Sequence, residues 1–268
     1  MTLIGNKYSN TLKNFNHRPF ALEQSDWVLN QSWSNLLFAH WPVSTEALRA
    51  LVPAALELDL YDGQAYIAVV PFEMREVSPR YLPSVPALSF FLELNVRTYV
   101  CYKGKPGVYF FSLDASNPIA VWLACNLYHL PYFNAKMLSQ KSESVAAPDH
   151  KQFTYSSMRS ASSVGKAGSK NSTDLAELDV SYEPSGPVYR SHAGSLEHFL
   201  TERYCLFTVY GSTVYRGDIH HGPWPLQQAK AEFRKNTMTA PLGLELKGEP
   251  ILHFVENIDT VEWPIKSV

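Results

Sequence analysis

Between Phe90 and Tyr102 the chain alternates with a period of two, and no other stretch limits its fold so tightly. Leu92, Leu94, Val96, Thr98 and Val100 fall on one side, and Glu93, Asn95, Arg97 and Tyr99 on the other. Successive side chains of a strand point to opposite faces, so this is a strand with one apolar and one polar face. The apolar face must be core. The polar face meets either water or an enclosed polar cavity, and an adjacent Glu and Arg on it could equally be a structural ion pair.

Turn signals divide the rest into short elements. Trp27 to Val43 reads as a strand ending after Pro42, and Ser44 as the N-cap of a short helix with Glu46 in its first turn. Leu56 to Tyr61, Asp62-Gly63 and Gln64 to Val70 read as a hairpin, because Asp-Gly suits a tight turn with positive φ. A proline-rich loop with Pro79, Pro83 and Pro86 follows. Lys103 to Gly107 turns the chain into a return strand, Val108 to Leu113, and Ile119 to Tyr128 reads as a helix. Residues 139–174 are polar and serine-rich. They are expected to hold one short strand near Phe153 to Arg159 and a mobile loop over 160–173. Further strands are expected at Leu178 to Tyr182, Leu206 to Tyr210, Thr213 to His220 and Ile251 to Trp263, with a short helix capped by Ser195. Many strands, short helices and frequent turns predict an α+β fold dominated by antiparallel sheet.

Composition excludes several function classes. The chain is 46% hydrophobic and 18% charged over 268 residues, so it can bury a sizeable core, and it is expected to form one domain over 1–268. A net charge of -2 with no basic stripe argues against a nucleic-acid partner. No apolar run approaches a membrane span, and the polar segment from Met1 to Phe20 lacks the apolar core of a signal peptide. Cys101, Cys125 and Cys205 are odd in number and widely spaced, which suggests a reducing, cytoplasmic setting and no zinc-ligand spacing. No phosphate loop, nucleophile elbow or HExxH signature is present, and no cofactor is expected. His220-His221 looks like a metal pair, but neighbours on a strand diverge, so no metal site is assigned.

Several segments resemble a known superfamily. ALRALVPAALELD (Ala47 to Asp59), the Glu93 strand, PIAVWLACNLYHLPYF (Pro118 to Phe133) and GPWPLQ (Gly222 to Gln227) follow, in order, motifs of acetoacetate decarboxylases. LLFAHWPV from Leu36, ELNVRTYV from Glu93, GVYFFSLDA from Gly107, LPY from Leu130, LTERY from Leu200 and HH-PWPLQ from His220 resemble more closely the related YqjF-like family of unknown function. The resemblance implies a cone-shaped β-barrel with short helices. It also leaves open a homo-oligomer, as decarboxylases assemble.

The departures matter as much. Schiff-base decarboxylation needs a neutral lysine tuned by a neighbouring cation and a dry pocket. The two lysine positions of the decarboxylase motif hold Tyr132 and Phe133 here, and the position of an arginine before the first helix falls near Pro42. Lys136 could substitute only if the preceding helix continued to it. The resemblance therefore implies a pocket without imine chemistry, lined by Glu93, Arg97, Tyr132 and one of His220 and His221, with Asn95 and Trp224 nearby. In it Glu93 would act as general acid or base, Arg97 would hold a carboxylate, and Tyr132 would steady an oxyanion. The expected partner is a small organic acid or carbonyl compound, turned over or merely bound as in a sensor. Arg203 has a plainer role open to it, anchoring the carbonyls that end the Ser195 helix.

Overall fold

The computed structural model describes residues 11–84, 89–128, 130–144, 147–160 and 176–268. The expected mobile loop lies, apart from Ser160, outside the described residues, as does Pro86. Thirteen strands join one sheet: β1 (Leu29–Val43), β2 (Glu57–Leu58), β3 (Ala65–Pro79), β4 (Phe90–Tyr102), β5 (Lys105–Ala115), β6 (Tyr132–Ser144), β7 (Ala147–Arg159), β8 (Glu177–Pro184), β9 (Cys205–Tyr210), β10 (Thr213–His221), β11 (Gln227–Asn236), β12 (Ile251–Glu262) and β13 (Lys266–Ser267). Helices α1 (Thr45–Leu51), α2 (Pro118–Tyr128) and α3 (Leu196–Thr201) are short. None of the helices among the described residues is long and apolar enough to cross a membrane.

The strand order is β13-β10-β9-β5-β6-β7-β8-β11-β12-β1-β3-β4-β2, with further pairings β10–β12 and β5–β4. Pairing is antiparallel except where β5 runs parallel to β6 and to β9. Those extra pairings fold the sheet back on itself, but not as the regular cone-shaped barrel the resemblance implies. Of the two, β10–β12 is short, Ile219 to His221 against Glu262 to Thr260, whereas β4–β5 is a long antiparallel ladder from Glu93–Ala115 to Tyr102–Lys105. Long, fully paired ladders such as β1–β12 and β3–β4 carry the rest.

Local signals account for many boundaries. Ser44 and Ser195 cap α1 and α3, their hydroxyls accepting from the N–H groups of Ala47 and His198, both at 3.2 Å. Lys103 and Gly104 take φ of 51° and 74° between β4 and β5, where Tyr102 faces Lys105. Asp62 and Gly63 turn at φ 49° and 79° inside an antiparallel Tyr61–Gln64 bridge, as expected of a tight turn, but the pairing does not extend into a hairpin with β3. Both edges of β3 are taken by β1 and β4, so Glu57 and Leu58 pair with β4 instead.

Both faces of β4 are buried. Leu92, Leu94 and Val96 pack with Leu37, Trp41, Val69, Phe153 and Tyr155. The opposite face looks toward a second cluster containing Phe38, Val70, Phe72, Phe91 and Trp224. An interior on each side of one strand is what places its polar residues inside the molecule.

Candidate functional site

Glu93, Asn95 and Arg97 are 3%, 5% and 7% exposed, which rules out the solvent-facing alternative for this side of β4. They line a cavity of about 460 Å³ whose walls come from β1, β3, β4, β5, α2, the start of β6, the end of α3, β9, β10 and the end of β12. The wall is mainly apolar and aromatic, with Phe38, Phe72, Phe110, Leu123 and Trp33 among its residues.

Tyr132 opens β6 just beyond α2, and its hydroxyl donates to Glu93 Oε2 at 3.0 Å. Burial pushes the Glu93 carboxyl up to about 8, with further upward pressure from Glu262 and Asp114, while the Tyr132 hydrogen bond opposes it. The Tyr132 hydroxyl is itself held well above the usual phenol range by burial and by the Glu93 charge. Behind this pair, the hydroxyl of Tyr155 on β7 donates to the Glu93 carbonyl at 2.8 Å and fixes the strand.

Arg97 stands four residues further along. Its guanidinium lies 5.2 Å over the Phe38 ring, and its Nε and Nη2 are buried without hydrogen-bond partners. Tyr99 is its polar neighbour, and burial lowers its pKa, although a guanidinium keeps its charge in proteins. Among the described residues no carboxylate forms an ion pair with it, so the Glu–Arg ion pair considered from sequence is not made. The oxygen of Asn95 is likewise unpartnered.

Two site residues escaped the sequence reading. Glu262, at the end of β12, lines the cavity, is pushed up to about 7 by burial, and accepts from Gln31 Nε2 at 2.5 Å. Gln31 lines the cavity too. The only signal for Glu262 was a single carboxylate between the apolar Val261 and Trp263.

Other expectations divide. Trp224 lines the cavity, 1% exposed, edge-on to Phe38 at 4.9 Å and stacked with Trp33 at 5.8 Å. Its indole Nε1 and that of Trp33 lack partners. His220 and His221 are not among the cavity residues. His220 engages the Thr11 carbonyl and Arg18, and His221 engages the carbonyls of Gly222 and Arg203. Their ring nitrogens are committed to holding the N-terminal segment and the β10 end, and burial lowers both pKa values, His220 to about 4. Lys136 is exposed on strand β6 rather than on a continuation of α2, and it is not among the cavity residues. No lysine is found among the described cavity residues. Arg203 does anchor α3, donating to the Phe199 carbonyl at 2.8 Å and pairing with Asp59. No group of three His, Cys, Asp or Glu among the described residues is arranged to hold a metal.

Comparison with known proteins bears on both sequence and fold. Residues 30–259 match DUF2071, described as an uncharacterized conserved protein family. The uncharacterized protein YqjF of Bacillus subtilis (strain 168) is 42% identical over 254 residues, covering 94% of this chain and 98% of that protein. Among solved structures, the enduracididine biosynthesis enzyme MppR complexed with pyruvate aligns with a TM-score of 0.59 at 11% identity, over 93% of this chain and 92% of its own. Acetoacetate decarboxylase from Legionella pneumophila aligns with a TM-score of 0.56 at 13% identity, over 96% and 94%. At such identities the likeness is one of fold.

Proposed function

The chain belongs to the DUF2071 family, and from that membership and the cavity beside β4 we propose that it takes a small organic acid or carbonyl compound and acts on it without a Schiff base. The single observation that carries this reading is a cationic Arg97 with unpaired nitrogens on the same buried strand face as a carboxyl that burial keeps protonated. A dry, uncompensated guanidinium is costly alone and gains most from an anionic ligand. Glu93 at neutral pH is a proton donor, and Tyr132, by donating to Oε2, stabilises the carboxylate left after transfer. Asn95 and the indole N–H groups offer neutral hydrogen bonds for a ligand's remaining polar atoms. The chain works as one unit around this cavity, and its three unpaired cysteines support a cytoplasmic setting.

The missing lysine favours a second reading, a sensor that binds the acid and releases it unchanged. One experiment separates the two. The purified protein is screened by thermal shift against keto acids, hydroxy acids and aldehydes beside Glu93→Gln and Arg97→Ala, and any stabilising compound is then incubated and analysed for product. Product that disappears with Glu93→Gln supports the enzyme, and binding without product supports the sensor. No stabilisation by any compound, with both variants folded, defeats the pocket assignment.

A further inference from the structure

The cavity is much larger than a three- or four-carbon acid needs. At about 30 Å³ per water, its 460 Å³ corresponds to roughly fifteen water-sized volumes. Its wall is mainly apolar, and such surface gains by being covered with an apolar ligand rather than left to water. The wall facing the polar face of β4 is built to leave room. Ala120 and Ala124, four residues apart on α2, line the cavity with Leu123 between them, and Phe72 and Met74 line it from β3.

The cations of the cavity differ in their partners. The cavity's other arginine, Arg203, is neutralised by Asp59, and Asp218 by Arg216, which leaves Arg97 as the cation without a carboxylate partner. Four residues of strand put the Cα atoms of Arg97 and Glu93 about 13 Å apart. A ligand that engages both, and also fills the apolar space, must be longer than pyruvate.

We propose that the ligand is an amphiphilic monocarboxylate, with its carboxylate on Arg97 and an alkyl or aryl body of roughly a dozen non-hydrogen atoms along α2 and the aromatic wall. This rests on the acid-binding reading above and narrows its ligand class.

The test is equilibrium binding of straight-chain carboxylates from butyrate to dodecanoate, with decanol as the uncharged control, to the parent, Arg97→Gln, Ala124→Trp and Ala120→Val. In the parent, affinity should rise about fourfold per methylene until the cavity is full. Arg97→Gln should weaken every acid while leaving decanol unchanged. Ala124→Trp should move the optimum to shorter acids and leave butyrate binding intact. Should that variant not fold, Ala120→Val should show the same shift in smaller measure. Butyrate or pyruvate binding as tightly as decanoate would overturn this inference and leave the acid-binding reading standing. Failure of every acid to bind would overturn both. Decanoate binding indifferent to Ala124→Trp in a folded protein would place the apolar body elsewhere and overturn the inference.

Discussion

Glu93 has lost the water that would normally solvate its charge, and the sign of the consequence follows directly. Its folded-state pKa is raised to about 8, so the unfolded chain releases the proton first as pH rises. The stability it contributes is complete below the ordinary carboxylate range and is lost as pH climbs through about 8. Glu262, raised to about 7, acts in the same direction. The buried histidines, whose pKa values are lowered, act oppositely but only below the ordinary histidine range, and the thiols, raised by burial, act only near pH 9, so pH 7 to 8 isolates the carboxyls. Thermal unfolding should show Tm falling across that window. Glu93→Gln should flatten the fall, removing about 1 kcal/mol of it. An unchanged slope would mean that Glu93 is solvated. Tyr132→Phe should steepen the fall instead, because the carboxylate loses its donor, at a cost of about 1.5–3 kcal/mol at high pH. The same denaturation series reads that difference. Glu93 and Arg97 were visible in the sequence because strand alternation set them apart. Glu262 and Gln31 were not, because their role depends on β1 and β12 lying side by side, with Leu29 opposite Glu262.

Elements are joined at β5, where the parallel contacts lie. Gly107 lets β9 approach there: a Cβ at that position would meet the Cys205 carbonyl oxygen at 2.7 Å and the Phe207 ring at 2.8 Å. Gly107→Ala should therefore destabilise by about 1–3 kcal/mol, read as a lower denaturant midpoint with unchanged slope. Asp114, fully buried on β5, is gripped by Arg159 of β7 through Nη2–Oδ1 at 2.7 Å and Nε–Oδ1 at 3.0 Å. Arg159→Ala leaves that carboxylate unpaired and should cost about 3–5 kcal/mol, whereas Asp114→Asn with Arg159→Gln should recover part of it. Legibility varied by element for a physical reason. Turns and caps are local, so Ser44, Ser195 and Lys103-Gly104 could be read directly. β11 could not, because Gln-Gln-Ala-Lys-Ala-Glu has helix-favouring composition and becomes strand only by pairing with β8. β6 was hidden similarly: Lys136 to Gln140 alternates weakly, and β7 supplies its partner.

At the scale of the whole molecule, one sheet has two interiors, and β4 divides them. One interior is filled by packed side chains, and the other keeps a cavity with an uncompensated cation. The mostly antiparallel architecture was legible because period-two patterns and turns recur along the chain. The way the sheet folds back was not, because β10 meets β12 through only three residue pairs between segments distant in sequence. On the function proposed above, this second interior selects an anion. The most direct measurement is the affinity of one carboxylic acid and its matching amide for the parent and for Arg97→Gln at pH 7. The parent should prefer the carboxylate by about tenfold or more, and Arg97→Gln should erase the preference while still binding the amide. Equal affinity of the parent for acid and amide, or a preference that survives Arg97→Gln, would contradict it.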